Sequence, residues 1–487
     1  MPSESLYHKF AKDIIVIGTT NLLLALSVLI LMPLLTKTLG ASAYGIWSQA
    51  DVTLQLAISI LGLGLPFTLS RFLAAGDDKD KLLDGFYSSL ILVALASFVG
   101  SILIYVFAGF IANAFFGGAA DIVRITAAIV FVWSLDTMFL NYLRARQQMV
   151  GYSILMVVSR CAEIGVIALL VLNGFGLAST LVCLVAVRVV LLLVLFLLVR
   201  KQIGMRMPKF GSMRQYLNFS LPTVPGYLAS WVATSSDRYI IGYFIGLTAV
   251  GIYSAGYNLV SIILMLIGVF GFVLPPTLCK LYDENRMTEL KSILQYSLKY
   301  FLAVAIPFTL GVSVLSEPIL RIFSTPEIAS QNHIVVPLLA VSVLFWGVFS
   351  IIYNPLVLTM KTKTIGAIWV VAALVNVGLN IALVPKLGIE GAALGSLITF
   401  LLVCGIGGYL AFREITFGIG WKFIGKSLIA SALMAVFLWL MNPQAVLATV
   451  VSIIIGMVVY ALVIFLLKGF SREELAFIKL EDRDETM

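Results

Sequence analysis

Leu39-Gly40-Ala41-Ser42-Ala43-Tyr44-Gly45-Ile46-Trp47-Ser48 returns, residue type by residue type, as Ile245-Gly246-Leu247-Thr248-Ala249-Val250-Gly251-Ile252-Tyr253-Ser254. Three further matches follow in the same order. After a short slip in register, Leu65-Pro66-Phe67-Thr68-Leu69-Ser70-Arg71 matches Leu274-Pro275-Pro276-Thr277-Leu278-Cys279-Lys280, and Tyr87-Ser88 matches Tyr296-Ser297. Gly176-Leu177-Ala178 then matches Gly388-Ile389-Glu390. Gly, Ala and Leu are common in this chain and match by chance, but agreement at four places in one order argues for an internal repeat.

The material between these marks is apolar. Of 487 residues, 61% are hydrophobic and 11% charged, against about 25% charged in an ordinary soluble domain. The mean hydropathy is +1.07. A soluble protein of this size needs far more polar surface, so the bilayer is the solvent. Apolar runs long enough to span it are expected at 14–36, 43–66, 85–112, 120–142, 150–172 and 177–200, then at 217–236, 248–275, 294–316, 334–358, 364–384 and 389–411, and last at 421–441 and 445–467. The first run is too long for a signal-peptide core and is expected to stay as a helix.

This reading predicts an all-α integral membrane protein of about 14 helices. Six helices separate each matched pair, and an even number keeps both halves in one orientation. The repeat is therefore parallel, with its axis along the membrane normal, an arrangement that places a substrate path between two lobes. The expected divisions are an N-terminal lobe at 1–205, a C-terminal lobe at 206–412, two further helices at 413–468 and a charged cytoplasmic tail at 469–487. Cys161, Cys183, Cys279 and Cys404 lie singly in or beside apolar runs and read as small buried hydrophobes.

The net charge of +8 is used mostly for orientation. Of the 32 Lys and Arg, five fall on one side of this map (Lys37, Arg124, Arg238, Arg321, Lys386), three within spans (Arg160, Arg188, Lys299), and all the others on the side of the termini. That asymmetry predicts cytoplasmic termini in the cell membrane. Asp77-Asp78-Lys79-Asp80-Lys81 mixes signs and reads as a solvated loop.

The sequence resembles the Wzx-type oligosaccharide flippases, the polysaccharide biosynthesis proteins of the multidrug/oligosaccharidyl-lipid/polysaccharide exporter superfamily. The likeness runs over the whole chain. It rests on the grouping six, six and two, on the element from Leu39-Gly40 to Gly45-Ile46, and on Ser236-Asp237-Arg238-Tyr239-Ile240-Ile241-Gly242 running into Gly246 to Tyr253. It implies a MATE-like fold and alternating access between two lobes. It also implies movement of a polyprenyl-linked, anionic oligosaccharide from the cytoplasmic to the outer leaflet. Membrane lipids and other polysaccharide assembly proteins are the further partners expected, with no nucleic acid and no cofactor. The coupling ion, a proton or sodium, stays open.

A few polar groups inside the spans carry the chemistry. Arg188 lies about 16 to 18 Å from either end of its helix, too deep to snorkel. Its burial costs roughly 2.5 to 3.5 kcal/mol on insertion scales, and its neighbours one turn away, Leu184, Val185, Leu191 and Leu192, offer no acid. It is either a cation in the central cavity that binds phosphate, or half of an ion pair with another helix. Arg160 and Glu163 stand one turn apart and can neutralise each other; Arg160 is also expected in the central cavity, where it would bind substrate beside Arg188. Asp136 lies at a depth from which it could reach Arg160, which would make a network able to bind a coupling proton or ion.

Ser48, Asp51, Gln55 and Ser59 form a polar stripe on the second helix, repeated without charge as Ser254, Tyr257, Asn258 and Ser261. The stripes are expected to face a cavity, with Asp51, Gln55 and Asn258 in contact with substrate. Asn21, Asn376 and Asn380 are weaker candidates, since Asn between helices is commonly an interhelical tie. Pro33, Pro222 and Pro225 can break the helices that begin each lobe and act as hinges or static kinks.

Other functions fit less well. An enzyme of lipid-linked sugars would carry catalytic residues in large outer loops, whereas this chain has only His8 and His333, far apart, and no metal motif, nucleophile elbow or phosphate loop. The protein is therefore not expected to be an enzyme. A cation-coupled multidrug exporter would show unpaired acids where this chain shows Arg188. A peptidoglycan lipid-precursor flippase suits the same helices and the same cavity.

Overall fold

The computed structural model describes residues 4–66, 68–69, 79–205, 207–211 and 213–470. Helices α1 and α2 are the two halves of Glu4–Leu61, divided where Gly40 leaves helical geometry at φ 85° and ψ 174°. There follow α3 (Lys79–Val106), α4 (Ala120–Ala145), α5 (Met149–Leu172), α6 (Leu177–Ile203) and α7 (Val224–Phe244). Helix α8 is the bent pair Leu247–Val260 and Ile262–Asp283, α9 is Met287–Val314, and α10 is Val335–Ile352. Helices α11 and α12 are the halves of Thr362–Glu414 on either side of Gly388, and α13 (Trp421–Met441) and α14 (Val446–Leu466) follow. No strand occurs among the described residues. The loop around 77–78 and the tail beyond 470 lie outside them.

Ten helical runs, or eleven with the bent pair, are long and apolar enough to cross a membrane among the described residues. Two of the ten each hold two helices joined at a glycine. Helix α7 falls outside the set because Thr234-Ser235-Ser236-Asp237-Arg238 lowers its hydropathy. With α7, the number of helices is close to that expected. Side chains on the outer faces are apolar: Phe110 and Leu447 are 74% and 75% exposed, which only hydrocarbon makes favourable over so much surface.

Two expectations are corrected. The seventh helix starts later than 217–236 because Met213–Ser220 forms its own short helix and Leu221–Thr223 a 3-10 turn. Pro222 lies in that turn and Pro225 in the first turn of α7, where a missing N–H leaves no helical bond unmade. These prolines begin the helix; Pro33 alone of the three stands inside one. The shift carries Arg238 out of the outer connection into α7, where it is 5% exposed, and so sharpens the asymmetry of basic loop residues. The cysteines are not buried either: Cys161 and Cys279 are exposed on helix surfaces, and Cys183 and Cys404 are half-buried.

The chain forms two compact units, one of Met1–Asn258, Phe323–Thr325 and Trp369–Gly395, the other of Leu259–Ile322, Pro326–Ile368 and Ser396–Met487. In the first, α3, α4 and α6 pack around Phe86, whose ring meets those of Phe139 and Tyr142 with centroids 5.7 and 5.0 Å apart. In the second, Met434 and Leu438 of α13 pack on Leu315. Tyr460 of α14 donates to the Ala303 carbonyl at 2.8 Å.

Within the first unit the two copies of the opening sequence meet each other. The hydroxyls of Ser48 and Ser254, 206 residues apart, lie 2.6 Å from one another. A Cβ on Gly45 would stand 1.8 Å from the Leu247 carbonyl oxygen, and one on Gly251 2.0 Å from that of Ala41. Ala41 and Leu247 are themselves a matched pair, so the contact is symmetric about a local two-fold axis. Helices α2 and α8 approach backbone to backbone because both carry glycine at the crossing. Each copy starts its helix from a glycine of positive φ, Gly40 at 85° and Gly246 at 111°, where a side chain would be strained.

Alanine at Gly45 or Gly251 should therefore cost about 1–3 kcal/mol as the helices are pushed apart. Thermal unfolding in detergent should show both variants several degrees below wild type, with Gly165→Ala, whose Cβ meets nothing within 4 Å, close to wild type. Equal melting of all three would remove the crossing as a constraint.

Candidate functional site

Two helices of the first unit turn polar faces toward one place. On α4 the spacing of Trp133, Thr137, Asn141 and Arg144 keeps all four on one stripe, and on α5 Tyr152, Met156, Ser159, Arg160 and Glu163 do the same. With Leu24 of α1 and Arg188 of α6 they enclose a cavity of about 380 Å³. A second, smaller space of about 50 Å³ is lined by Trp47 and Asp51 of α2. Both spaces share Trp133, Arg160, Glu163 and Arg188.

Glu163 is the junction. Its Oε1 lies 2.6 Å from Arg188 and its Oε2 3.2 Å from Arg160. Asp136, fully buried, stands 4.0 Å from Arg188. Arg160 Nε donates to the Ser27 hydroxyl at 2.8 Å, and the Arg188 guanidinium carbon sits 4.1 Å from the centre of the Trp133 ring. The ring face is negative, so this adds attraction where desolvation costs most. Two arginines thus face two carboxylates, the arrangement that makes buried charge tolerable.

Arg188 lines both spaces and is also ion-paired with Glu163. Asp136 reaches Arg188 and not Arg160, because α4 and α6 are the helices that pack there. Asp51 lines the smaller space with Gln55 donating to it at 2.8 Å. The rest of the polar stripes is used elsewhere. Ser48 and Ser254 bond each other, Ser59 bonds the Gln55 carbonyl at 2.7 Å, and Asn258 donates to Tyr44 at 2.6 Å. Of the two stripes, Asp51 lines the smaller space, and Gln55 beside it is exposed.

Asn380 donates to Asn376 at 2.9 Å, and the Ser236 hydroxyl bonds the same Asn376 oxygen at 3.3 Å, a tie between α7 and α11. A second buried cluster in the first unit joins Asp237 to Arg238 at 3.2 Å. Tyr253 donates to that carboxylate, and the Tyr257 ring lies 4.2 Å from the guanidinium carbon.

Sequence reasoning missed Trp133, Ser27, Asn141, Arg144 and Tyr152 as parts of the site. The four-residue spacing on α4 and α5 was the available signal, hidden because Trp, Met and Tyr on such a stripe look like ordinary core.

The family model described as polysaccharide biosynthesis protein matches residues 10–282, and a second, for MatE, matches 222–382. The chain belongs to the polysaccharide biosynthesis protein family. The chain is similar to the "probable low-salt glycan biosynthesis flippase Agl15" of Haloferax volcanii, 23% identical over 88% of this chain and 90% of that one. The "probable flippase AglR" of the same organism is 26% identical over 50% of this chain and 52% of its own length. Among solved structures, "lipid II flippase MurJ, inward closed conformation" superposes with TM-score 0.76 at 18% identity, covering 94% of this chain and 99% of that one. An inward-facing MATE family multidrug transporter of the MOP superfamily gives 0.68 at 14% identity, with 82% and 98% covered. This polysaccharide biosynthesis protein thus has the MOP-superfamily fold.

Removing Glu163 strands two arginines, so Glu163→Ala should destabilise the protein by about 3–5 kcal/mol. Arg160→Ala should cost less, since Glu163 keeps Arg188 and the Arg160 side chain is 24% exposed. Thermal unfolding that ranks them in the opposite order would show that Glu163 is not the junction.

Proposed function

We propose that the protein is a flippase, not an enzyme, and that it carries a polyprenyl-linked anionic oligosaccharide from the cytoplasmic to the outer leaflet. The observation that carries this reading is a charged cavity buried inside an otherwise apolar body of this family. The name of the Haloferax relative, similar over nearly the whole chain, supports a glycan substrate. In this reading the cell membrane holds the chain with both termini in the cytoplasm, as the basic loop residues suggest. The lobes at 1–205 and 206–412 alternate their access, the helices at 413–468 follow them, and Pro33 is a hinge.

The pairing of Arg188 changes how an anion would be bound. A phosphate does not meet a bare cation; it exchanges with Glu163 for the guanidinium groups, keeping each arginine bonded throughout. Glu163 then needs a counter-charge, and a proton or a sodium ion supplies it. Asp136 supports this coupling role, because neither of its oxygens has a hydrogen-bond donor among the described residues. A peptidoglycan lipid-precursor flippase and a cation-coupled exporter remain the alternative readings.

In vesicles with a fluorescent lipid-linked oligosaccharide, wild type should flip the lipid and Arg188→Ala should not. Arg188→Lys, which keeps charge but not bidentate geometry, should flip it severalfold more slowly at normal abundance. Normal transport by Arg188→Ala would end this reading. Glu163→Gln should abolish the dependence of flipping on a pH or sodium gradient; a dependence unchanged by that substitution would exclude Glu163 as the coupling site.

A further inference from the structure

One arginine of the larger cavity stands apart from the ion-paired cluster. Its wall includes three arginines, Arg144, Arg160 and Arg188, and one acid, Glu163. Glu163 and Asp136 pair with Arg160 and Arg188, and Asp51 lines the adjoining space with the same two arginines. No carboxylate lies within ion-pair distance of Arg144 among the described residues. Arg144 is exposed, in the last turn of α4, and so stands at the rim of the cavity while the paired arginines lie deep. The arginine without an ion pair is therefore at the mouth.

The surroundings of Arg144 suit a phosphate. Its guanidinium carbon lies 5.8 Å from the centre of the Tyr152 ring, a contact that leaves the donor edges unused. Asn141, one turn back on the same wall, gives one amide hydrogen to the Thr137 carbonyl at 2.8 Å and keeps the other. We propose that Arg144 and Asn141, with Tyr152 behind them, form an anion subsite for a phosphate or pyrophosphate group at the mouth of the cavity. Planar, charge-assisted donors favour that ligand over a carboxylate of lower charge. The flippase reading supplies only the identity of the carrier, a prenyl pyrophosphate; the subsite itself rests on Arg144 having no carboxylate within ion-pair distance among the described residues.

The test uses the full chain in nanodiscs, with two probes, geranylgeranyl pyrophosphate and inorganic pyrophosphate, titrated by calorimetry. Wild type should bind, and Arg144→Gln should weaken binding about tenfold or more. Arg146→Gln removes the same charge two residues away from a side chain that lines neither space, and should change binding less than about twofold. Loss confined to the prenyl probe assigns the subsite to a lipid head group, and equal loss with both assigns it to free pyrophosphate. Absence of wild-type binding, no loss in Arg144→Gln, or equal loss in the two variants would overturn it. A wild type that binds but does not flip lipid would leave the subsite standing and remove the flippase reading.

Discussion

Hydrocarbon solvates neither charge nor peptide groups, and that constraint orders the molecule. Each polar group inside the spans has to find its partner within the chain, or else mark a place where something other than lipid is expected. Glu163 shows the first case in concentrated form. One carboxylate holds two guanidiniums from two helices, α5 and α6, and a third helix contributes Asp136. The cluster therefore ties α4, α5 and α6 together as well as lining a cavity. Packing alone would leave the rotation of these apolar helices weakly specified, since leucine meets lipid and leucine meets leucine at similar energy.

The second constraint is geometric. Lipid supplies no hydrophobic force to bring helices together, so close approach has to come from shape. At the crossing of α2 and α8 the glycines of the two repeats remove the side chains that would separate the backbones, and the serines three residues on are brought within bonding distance. Both halves supply the same residues because the contact is symmetric: a change that suits one helix has to suit its copy. That explains why the ten residues around Gly45 and Gly251 are the best preserved part of the internal repeat while most helices have diverged beyond recognition.

Much of this was legible in the sequence. Apolar run length and punctuation marked all fourteen helices, since a span has a minimum length and tolerates few charges. The failures have separate causes. Ser-Asp-Arg at 236–238 reads as a loop because charge argues against a span, yet Arg238 is inside α7 with its own adjacent Asp237 as partner. The pairing is local in sequence and still invisible to a hydropathy window. Likewise Asp136 was assigned by depth to Arg160, which depth alone cannot separate from Arg188; the choice depends on which helices are neighbours. The cavity wall was hidden for a third reason, that Trp133 and Tyr152 serve equally as core and as partners for a guanidinium.

The division of charge between the depth and the mouth of the cavity has a thermodynamic consequence. A cluster in which carboxylates offset Arg160 and Arg188, as Glu163, Asp136 and Asp51 do, attracts an anion weakly, and Glu163 competes with it for the same donors. Uptake of one positive charge by a carboxylate, whether a proton or a sodium ion, would make the cluster more positive and free donors at the same step. Anion and cation binding are then mutually favourable, and by linkage each raises the affinity for the other by the same factor. A rim cation that needs no such release can hold an incoming anion before the exchange occurs. In the proposed exchange, depth and mouth differ in kind: Arg144 would hold an anion in any protonation state, whereas Arg188 would become available only when Glu163 gives it up.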